Sequence, residues 1–350
     1  MALRGAIIGF GHIAANGHVP AYQGCKEIEI CAVCDSCLDR RELNQRLLSE
    51  SRFYTSVEEL FENEPIDFVD VSTPPAMHAK FIKEALSRNK HVLCEKPLVL
   101  NSAELMEIYG LMKTTDCRVV TVHNWRYSPI MQEISKIVKS GMLGPITNIK
   151  YEVLRVQPSI AVGGNDNDAG NWRLDPSVAG GGILVDHGWH AFYLVNEWMG
   201  RSPNTVECRL ENRKFIDMPV EDTAEITLFY PSGAQTDLLF TWAGKRRNNT
   251  IVIKGEQGTL SCLDDHIIVD CQQGSYTIRF DQGLSEGSHH PEWYSGVLRE
   301  FIEEVTAAKR PGMNFKEAAL CLTILEGCKR AHDISGPVAL DVACNEFFRE

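Results

Sequence analysis

Gly9-Phe10-Gly11-His12-Ile13-Ala14 follows the apolar run Ala6-Ile7-Ile8 and opens an amphipathic stretch. That order of strand, glycine turn and helix constrains the fold more than any other feature of the chain. Gly9 permits the tight turn. Gly11 lets the backbone approach a ligand with no side chain in the way, and Ala14 is small enough for helix–strand contact. The helix start then presents unpaired N–H groups and the positive end of its dipole, which suits a pyrophosphate.

The pattern around this turn is repetitive. Apolar strands are predicted at 6–8, 28–34, 68–71, 91–94 and 119–122, with amphipathic helices between them near 76–89 and 102–115. Ser56-Val57-Glu58-Glu59 has the form of a capping box at the head of a short helix. Strands alternating with helices in this way predict a parallel sheet with helices on both faces, that is, an N-terminal Rossmann domain. Asp35 ends the second strand, 24 residues after Gly11. A carboxylate there can accept the ribose hydroxyls of an adenosine half and would repel a 2′-phosphate, so NAD is favoured over NADP. Arg40 and Arg41 lie close enough to soften that preference.

Beyond residues 123–128 the pattern changes. A helix over 129–140 stops at Gly141. Extended segments follow at 146–156, 204–211, 222–230, 234–242, 249–254, 258–262, 266–271 and 275–280, several joined by hairpin turns such as Pro231-Ser232-Gly233. Two helices, 293–309 and 315–333, come last. The second domain is expected to be α+β with a large open, mainly antiparallel sheet. The expected division is 1–125 for the nucleotide-binding domain and 126–350 for the substrate and oligomerisation domain. The run Gly163–Gly170 reads as a solvated loop, because its acidic residues lack the ligand order of a calcium loop.

Composition removes other classes of function. The 350 residues carry 35 Lys and Arg against 47 Asp and Glu, a net charge of -12. Such a surface repels nucleic acid and anionic lipid. No apolar run is long enough for a membrane span, and the N-terminal residues lack the zones of a signal peptide, so the cytosol is the expected compartment. The twelve cysteines are scattered through apolar runs and read as reduced, small buried hydrophobes. Cys31, Cys34 and Cys37 have iron–sulfur spacing, but Cys31 falls inside a strand and no suitable fourth thiolate follows.

Two segments carry chemistry. Glu95-Lys96-Pro97 ends a predicted parallel strand, the place where open α/β sheets bind ligands. Farther on, Asn171-Trp172-Arg173-Leu174-Asp175-Pro176 leads to Gly180-Gly181-Gly182 and then to Asp186, His187 and His190. Asp186 and His190, four apart, would share a helix face, with His187 pointing elsewhere. A metal would need a third donor of matching spacing, and none is found, so no metal is expected.

Taken together, the glycine turn, Ser72-Thr73-Pro74-Pro75 with His78, the segment His91–Pro97, and Gly180-Gly181-Gly182 with Asp186 and His190 resemble the glucose–fructose oxidoreductase, inositol dehydrogenase and rhizopine-catabolism (Gfo/Idh/MocA) family. The resemblance runs over nearly the whole chain. It implies that the glycine turn (Gly9, Phe10, Gly11, His12, Ile13), Asp35, Ser72, Thr73, Pro74, His78, Glu95 and Lys96 serve the cofactor. It implies that Asp186 and His190 reach the reacting hydroxyl with Lys96. It further implies a homodimer or homotetramer built on the open sheet.

The expected reaction is hydride transfer from a secondary alcohol of a sugar, inositol or polyol to nicotinamide. His190 would be the base, Lys96 the donor to the reacting oxygen, and Asp186 a hydroxyl ligand or the group that orients His190. Asn124, Arg126, Trp172 and Arg173 are candidate substrate ligands. His123, Trp125 and Tyr127 stand beside the first two in sequence, and His289-His290-Pro291-Glu292-Trp293 could close over the site. Two rivals remain: a sugar-modifying enzyme that recycles its NAD through oxidation and elimination, and a nucleotide-sensing regulator without catalysis.

Overall fold

A computed structural model describes residues 2–158, 171–287, 290–306 and 312–340. The expected loop Gly163–Gly170 and His289 lie outside the described residues, as do residues 307–309 of the helix expected over 293–309. The chain forms two compact units. Of the described residues, the first takes the chain through Asn124, residues 171–172 and, much later, 290–306 and 312–318. The second takes 125–158, 173–287 and 319–340.

The first unit is built on β1 (Leu3–Ile8), β2 (Ile28–Cys34), β3 (Arg52–Tyr54), β4 (Phe68–Val71), β5 (His91–Cys94) and β6 (Val119–Thr121). They form one parallel sheet in the order β3-β2-β1-β4-β5-β6. This is the Rossmann order: successive strands are added to one side of β1 as far as β3, and then to its other side from β4 onward. The strand interiors are buried on both faces, as parallel sheets require: Ala6, Ile7, Val69, Val92 and Leu93 are all fully buried. Ser56 caps Val57–Asn63 by accepting from the Glu59 N–H at 3.3 Å, as its capping-box form predicts.

The short strand β3 and the helix Arg40–Leu47 lack a periodic apolar signal and were not expected. The late helix Pro291–Thr306 belongs to this unit, not to the second domain where chain order places it. Its Phe301 ring lies 4.9 Å from Phe68 of β4, whose ring is also 6.4 Å from Tyr22 of the early helix Val19–Gln23, so a helix from far along the chain joins an early one over β4. Just beyond, Asn314 accepts from the Thr121 N–H at 2.6 Å and donates to the Thr121 carbonyl at 3.1 Å. It thereby satisfies the outer edge of β6 as a further strand would.

The second unit carries a nine-stranded sheet of β7 (Ile146–Leu154), β8 (Thr205–Glu211), β9 (Thr223–Phe229), β10 (Gln235–Thr241), β11 (Asn248–Gly255), β12 (Gly258–Leu263), β13 (His266–Cys271), β14 (Gly274–Arg279) and β15 (Val338–Ala339). The order is β14-β13-β12-β11-β7-β10-β9-β8-β15. All pairs are antiparallel except β7 with β10, which run parallel. Those two strands are separated by the helix Trp189–Met199 and the β8–β9–β10 meander, so no hairpin dictates their direction. The helix itself is almost wholly buried, with Trp189, Phe192, Tyr193 and Leu194 in the core. No helix among the described residues is long and apolar enough to cross a membrane.

Candidate functional site

In the first unit three turns follow the carboxyl ends of β1, β4 and β5. The glycine turn comes first. Gly9 has φ of +91°, and a side chain there would meet Thr73 at 2.8 Å, so the protein itself demands glycine. Gly11 differs: a Cβ would meet nothing within 4 Å. Nothing in the protein needs that space, which fits a pyrophosphate resting against the backbone. Ala14 is fully buried, as helix–strand contact requires. Asp35 accepts from the Phe10 N–H at 2.7 Å and the Cys37 N–H at 2.8 Å, pinning the glycine turn to the end of β2. Each carboxylate oxygen has a second lone pair that can take a ribose hydroxyl. His12 is half-buried beside Asn16, whose amide nitrogen is 3.0 Å from its Nδ1.

The Ser72–Pro75 turn holds a buried Thr73 hydroxyl oxygen with no hydrogen-bond partner among the described residues. Together with the open space at Gly11, it fits a dinucleotide site. His78 is fully buried, its Nδ1 2.8 Å from the Pro97 carbonyl and its Nε2 2.8 Å from the Thr73 carbonyl. The ring thereby braces the turn after β4 against the segment after β5. Burial also lowers its pKa, against the pull of those carbonyls.

Lys96 is half-buried at the end of β5, joined to Pro97 by a cis peptide. Beside it lies a buried polar network that sequence reading missed. His18 Nδ1 is 2.6 Å from Asp70 Oδ2, and His18 Nε2 is 3.0 Å from Glu95 Oε1. Tyr22 donates to Asp70 at 2.9 Å, Ser72 to Asp70 at 3.0 Å and Tyr294 to Glu95 at 2.6 Å. The Lys96 N–H reaches the other Glu95 oxygen at 3.1 Å. Burial opposes charge on both partners, but each overcomes it through the other. Asp70 and Glu95 push the His18 pKa up to about 10, and His18, Tyr294 and Lys96 pull Glu95 down to about 2. Glu95 and Ser72 were already marked by the family resemblance; among the other members the one sequence signal was Asp70, a carboxylate inside an apolar strand run. Tyr294, 199 residues from Glu95, gave none.

The second unit holds its own cluster. Asp186 lies in a π-helical turn, Leu184–Gly188, that leads into Trp189–Met199. The wider turn changes the expected geometry: His187 does not point away but sits 3.2 Å from Asp186 Oδ2, with Arg173 3.9 Å from Oδ1. His190 is buried at 8% exposure. Its Nδ1 meets the Tyr193 hydroxyl at 3.1 Å, and its ring stacks on Trp125 with centroids 5.4 Å apart. The Tyr193 hydroxyl and the Trp125 ring thus both help to orient the His190 ring. Tyr193 is in turn fixed by the Trp125 N–H at 3.2 Å and by the Arg126 guanidinium 5.5 Å over its face. Arg126 also pairs with Glu197 at 3.2 Å.

The glycine run before this turn is clamped. Glu221 accepts from the Gly182 N–H at 2.8 Å and the Leu184 N–H at 3.1 Å, and Lys329 donates to the Gly180 carbonyl at 2.8 Å. Burial raises the Glu221 pKa, against those N–H groups and Lys329. Asn124 is buried at the head of the short 3-10 turn Asn124–Tyr127, and Trp172 is half-buried in another, Trp172–Leu174. Among the described residues no group of three His, Cys, Asp or Glu side chains could hold a metal ion.

Residues 3–123 match the model of the GFO/IDH/MocA oxidoreductase family with an NAD-binding Rossmann fold, and residues 131–261 match that family's C-terminal domain. The chain belongs to the GFO/IDH/MocA family. It is an NAD-binding oxidoreductase. Among curated relatives, this oxidoreductase is 24% identical to myo-inositol 2-dehydrogenase of Thermotoga maritima, over 97% of this chain and 99% of that one. It is 27% identical to an uncharacterized oxidoreductase of Synechocystis over 75% of this chain and 72% of the relative. Among solved structures, an oxidoreductase from Agrobacterium radiobacter in complex with NAD+, L-tartaric acid and magnesium aligns with a TM-score of 0.84 at 20% identity, covering 98% of this chain and all of that one. Levoglucosan dehydrogenase in complex with NADH gives 0.83 at 18%, over 97% and 99% of the two chains. These likenesses establish the shared fold.

Proposed function

We propose that this oxidoreductase moves hydride between NAD and a secondary alcohol of a sugar, inositol or related polyol. When bound, NAD supplies a nicotinamide ring that accepts or returns the hydride. The chain supplies the rest. Gly9 through Ile13 hold the pyrophosphate, Asp35 the adenosine ribose, and Ser72, Thr73, Pro74 and Glu95 the nicotinamide half. Lys96 donates to the reacting oxygen, and its charge stabilises the developing alkoxide. His190 takes the hydroxyl proton at Nε2, with Nδ1–H donating to Tyr193 so that the correct nitrogen carries the lone pair. Asp186, beside Arg173 and His187, binds a neighbouring hydroxyl. Asn124 and Trp172 complete the substrate contacts, and Arg126 acts through Tyr193.

The observation that carries this reading is the setting of His190: one nitrogen held by a tyrosine hydroxyl, one face covered by a tryptophan. An imidazole fixed in that way is suited to accept a proton along one direction. The full-length similarity to a protein named myo-inositol 2-dehydrogenase supports the substrate class.

The test is a panel of sugars and polyols with NAD, followed at 340 nm. NADH should accumulate with at least one of them. Lys96→Ala and His190→Ala should each lower kcat by about 10²–10⁴ while still binding NADH. Wild-type turnover in either variant, or product without net NADH, would refute the proposal.

We also infer that the open face of the nine-stranded sheet pairs with a second copy. A broad trough on it is lined by Lys150 and Arg209 together with Glu152, Glu225 and Asp237. Mixed charge of this kind can complement itself across a two-fold axis. Light scattering that returns only a monomer mass would exclude it.

A further inference from the structure

His18 sits in the π-helical turn Ala14–His18 that continues directly from the glycine-rich turn. Its two ring nitrogens face two different carboxylates, and those carboxylates precede the other two turns of the first unit. Asp70 ends two residues before Ser72. Glu95 is joined to Lys96. The ring is also 3.4 Å from the Ser72 hydroxyl, so one imidazole links the segment after the glycine turn to the turns that follow β4 and β5.

The hydrogen-bond partners favour a protonated ring. Asp70 accepts from Tyr22 and Ser72 as well as from His18. Glu95 accepts from Tyr294 and the Lys96 N–H as well as from His18. An ionised carboxylate can only accept, so facing two ionised carboxylates the ring donates from both nitrogens, and only the imidazolium can do so. The ring is 1% exposed and packs against Tyr294 with centroids 4.4 Å apart. Gly17 makes that packing possible, since a Cβ there would stand 3.0 Å from the Tyr294 ring.

We propose that His18 is a positioning residue that ties the Glu95–Lys96 turn to the glycine-rich turn through Asp70 and Glu95, so that cofactor binding depends on its charge although it does not touch the cofactor. The inference rests on the placement of Glu95 and Lys96 at the nicotinamide end, but not on the identity of the substrate. The charged groups that face the ring are Asp70 and Glu95, with Lys96 beyond Glu95. The neighbouring titratable groups stay neutral: burial pushes the Tyr22 hydroxyl and the Cys94 thiol far up and the His78 imidazole down. Removing the cation of His18 leaves Glu95 buried with its largest stabilising partner gone, so Glu95 should titrate in the range where the wild-type protein is silent.

The experiment uses NADH itself as the probe, titrated by fluorescence from pH 5 to 8.5 against the full-length protein. His18→Gln should weaken NADH about tenfold at pH 8 and add a pH-dependent limb below neutrality that the wild type lacks. The double variant His18→Gln with Glu95→Gln should lose that limb. A merely structural role would lower thermal stability without creating a limb that Glu95→Gln abolishes. A second measurement does not depend on the variant folding. In wild-type protein labelled with nitrogen-15 at histidine, one ring should remain doubly protonated at pH 8.5, and Tyr294→Phe should shift that signal. Neutral rings throughout at pH 8.5, or unchanged NADH affinity and pH profile in a folded His18→Gln variant, would overturn the proposal. Normal NADH binding with no polyol turnover would instead count against the proposed reaction and leave this inference standing.

Discussion

At the end of β2, Asp35 joins two tasks that sequence reading treats as one. Its carboxylate is aimed by backbone N–H groups of Phe10 and Cys37, so the residue proposed to read the ribose also holds the glycine turn in place. Asp35→Ala should weaken NADH at least tenfold, since a hydrogen bond to a charged group is worth about 1.5–3 kcal/mol, and should narrow the gap to NADPH. Parallel fluorescence titrations decide it: unchanged affinity for both cofactors would remove Asp35 from the site. Residues such as Lys96 and Asp35 were legible because each ends an apolar strand in a parallel pattern. His18, Tyr193, Glu221 and Tyr294 were not. Each owes its importance to a partner that only folding brings near.

Turns and helices show why two glycine runs that look alike in sequence behave differently. A Cβ at Gly182 would lie 2.0 Å from the Glu221 carbonyl oxygen, backbone against backbone, whereas one at Gly11 would meet nothing within 4 Å. Gly182→Ala should therefore cost about 1–3 kcal/mol and lower the melting temperature. Gly11→Ala should leave the melting temperature near wild type but weaken NADH. A calorimetric scan paired with a binding titration separates the two. Equal melting losses in both would mean that the space at Gly11 serves the fold, not a ligand. The π-helical turns Ala14–His18 and Leu184–Gly188 belong to this scale as well. Each inserts one residue into the register of a helix, which is why spacing arithmetic placed His187 on the wrong side of Asp186.

Across the whole molecule, the first unit is completed by a helix that arrives after nearly 290 residues. Phe301 is fully buried against Phe68. Phe301→Ala should cost about 3–5 kcal/mol, read as a drop in the denaturant midpoint. A drop below 1 kcal/mol would show that the helix is not part of that core. The His18 network also sets a pH dependence for stability. The His18 pKa is raised from 6.5 to about 10, so its contribution is complete below about 6.5 and is lost as pH rises toward 10. The Glu95 pKa is lowered from 4.5 to about 2, so its contribution is complete above about 4.5 and is lost as pH falls toward 2. The melting temperature of the wild type should fall on both sides of that window, and His18→Gln should flatten the alkaline fall. If the variant keeps the same alkaline slope, other groups set it.

The sequence by itself determined the alternation of strands and helices in the first unit, the glycine turn and the Glu95-Lys96-Pro97 segment, along with most strands of the second sheet. These are local properties: a period of two or 3.6 residues, a turn that needs glycine, a proline beside a strand. Tertiary structure alone decided that the helix Pro291–Thr306 joins the first unit, that β7 and β10 run parallel, that Tyr193 helps to orient His190, and that His18 stands between two carboxylates. Each of these is a contact between residues whose own neighbourhoods carry no mark of it, because burial, paired charge and satisfied hydrogen bonds are properties of the partner as much as of the residue.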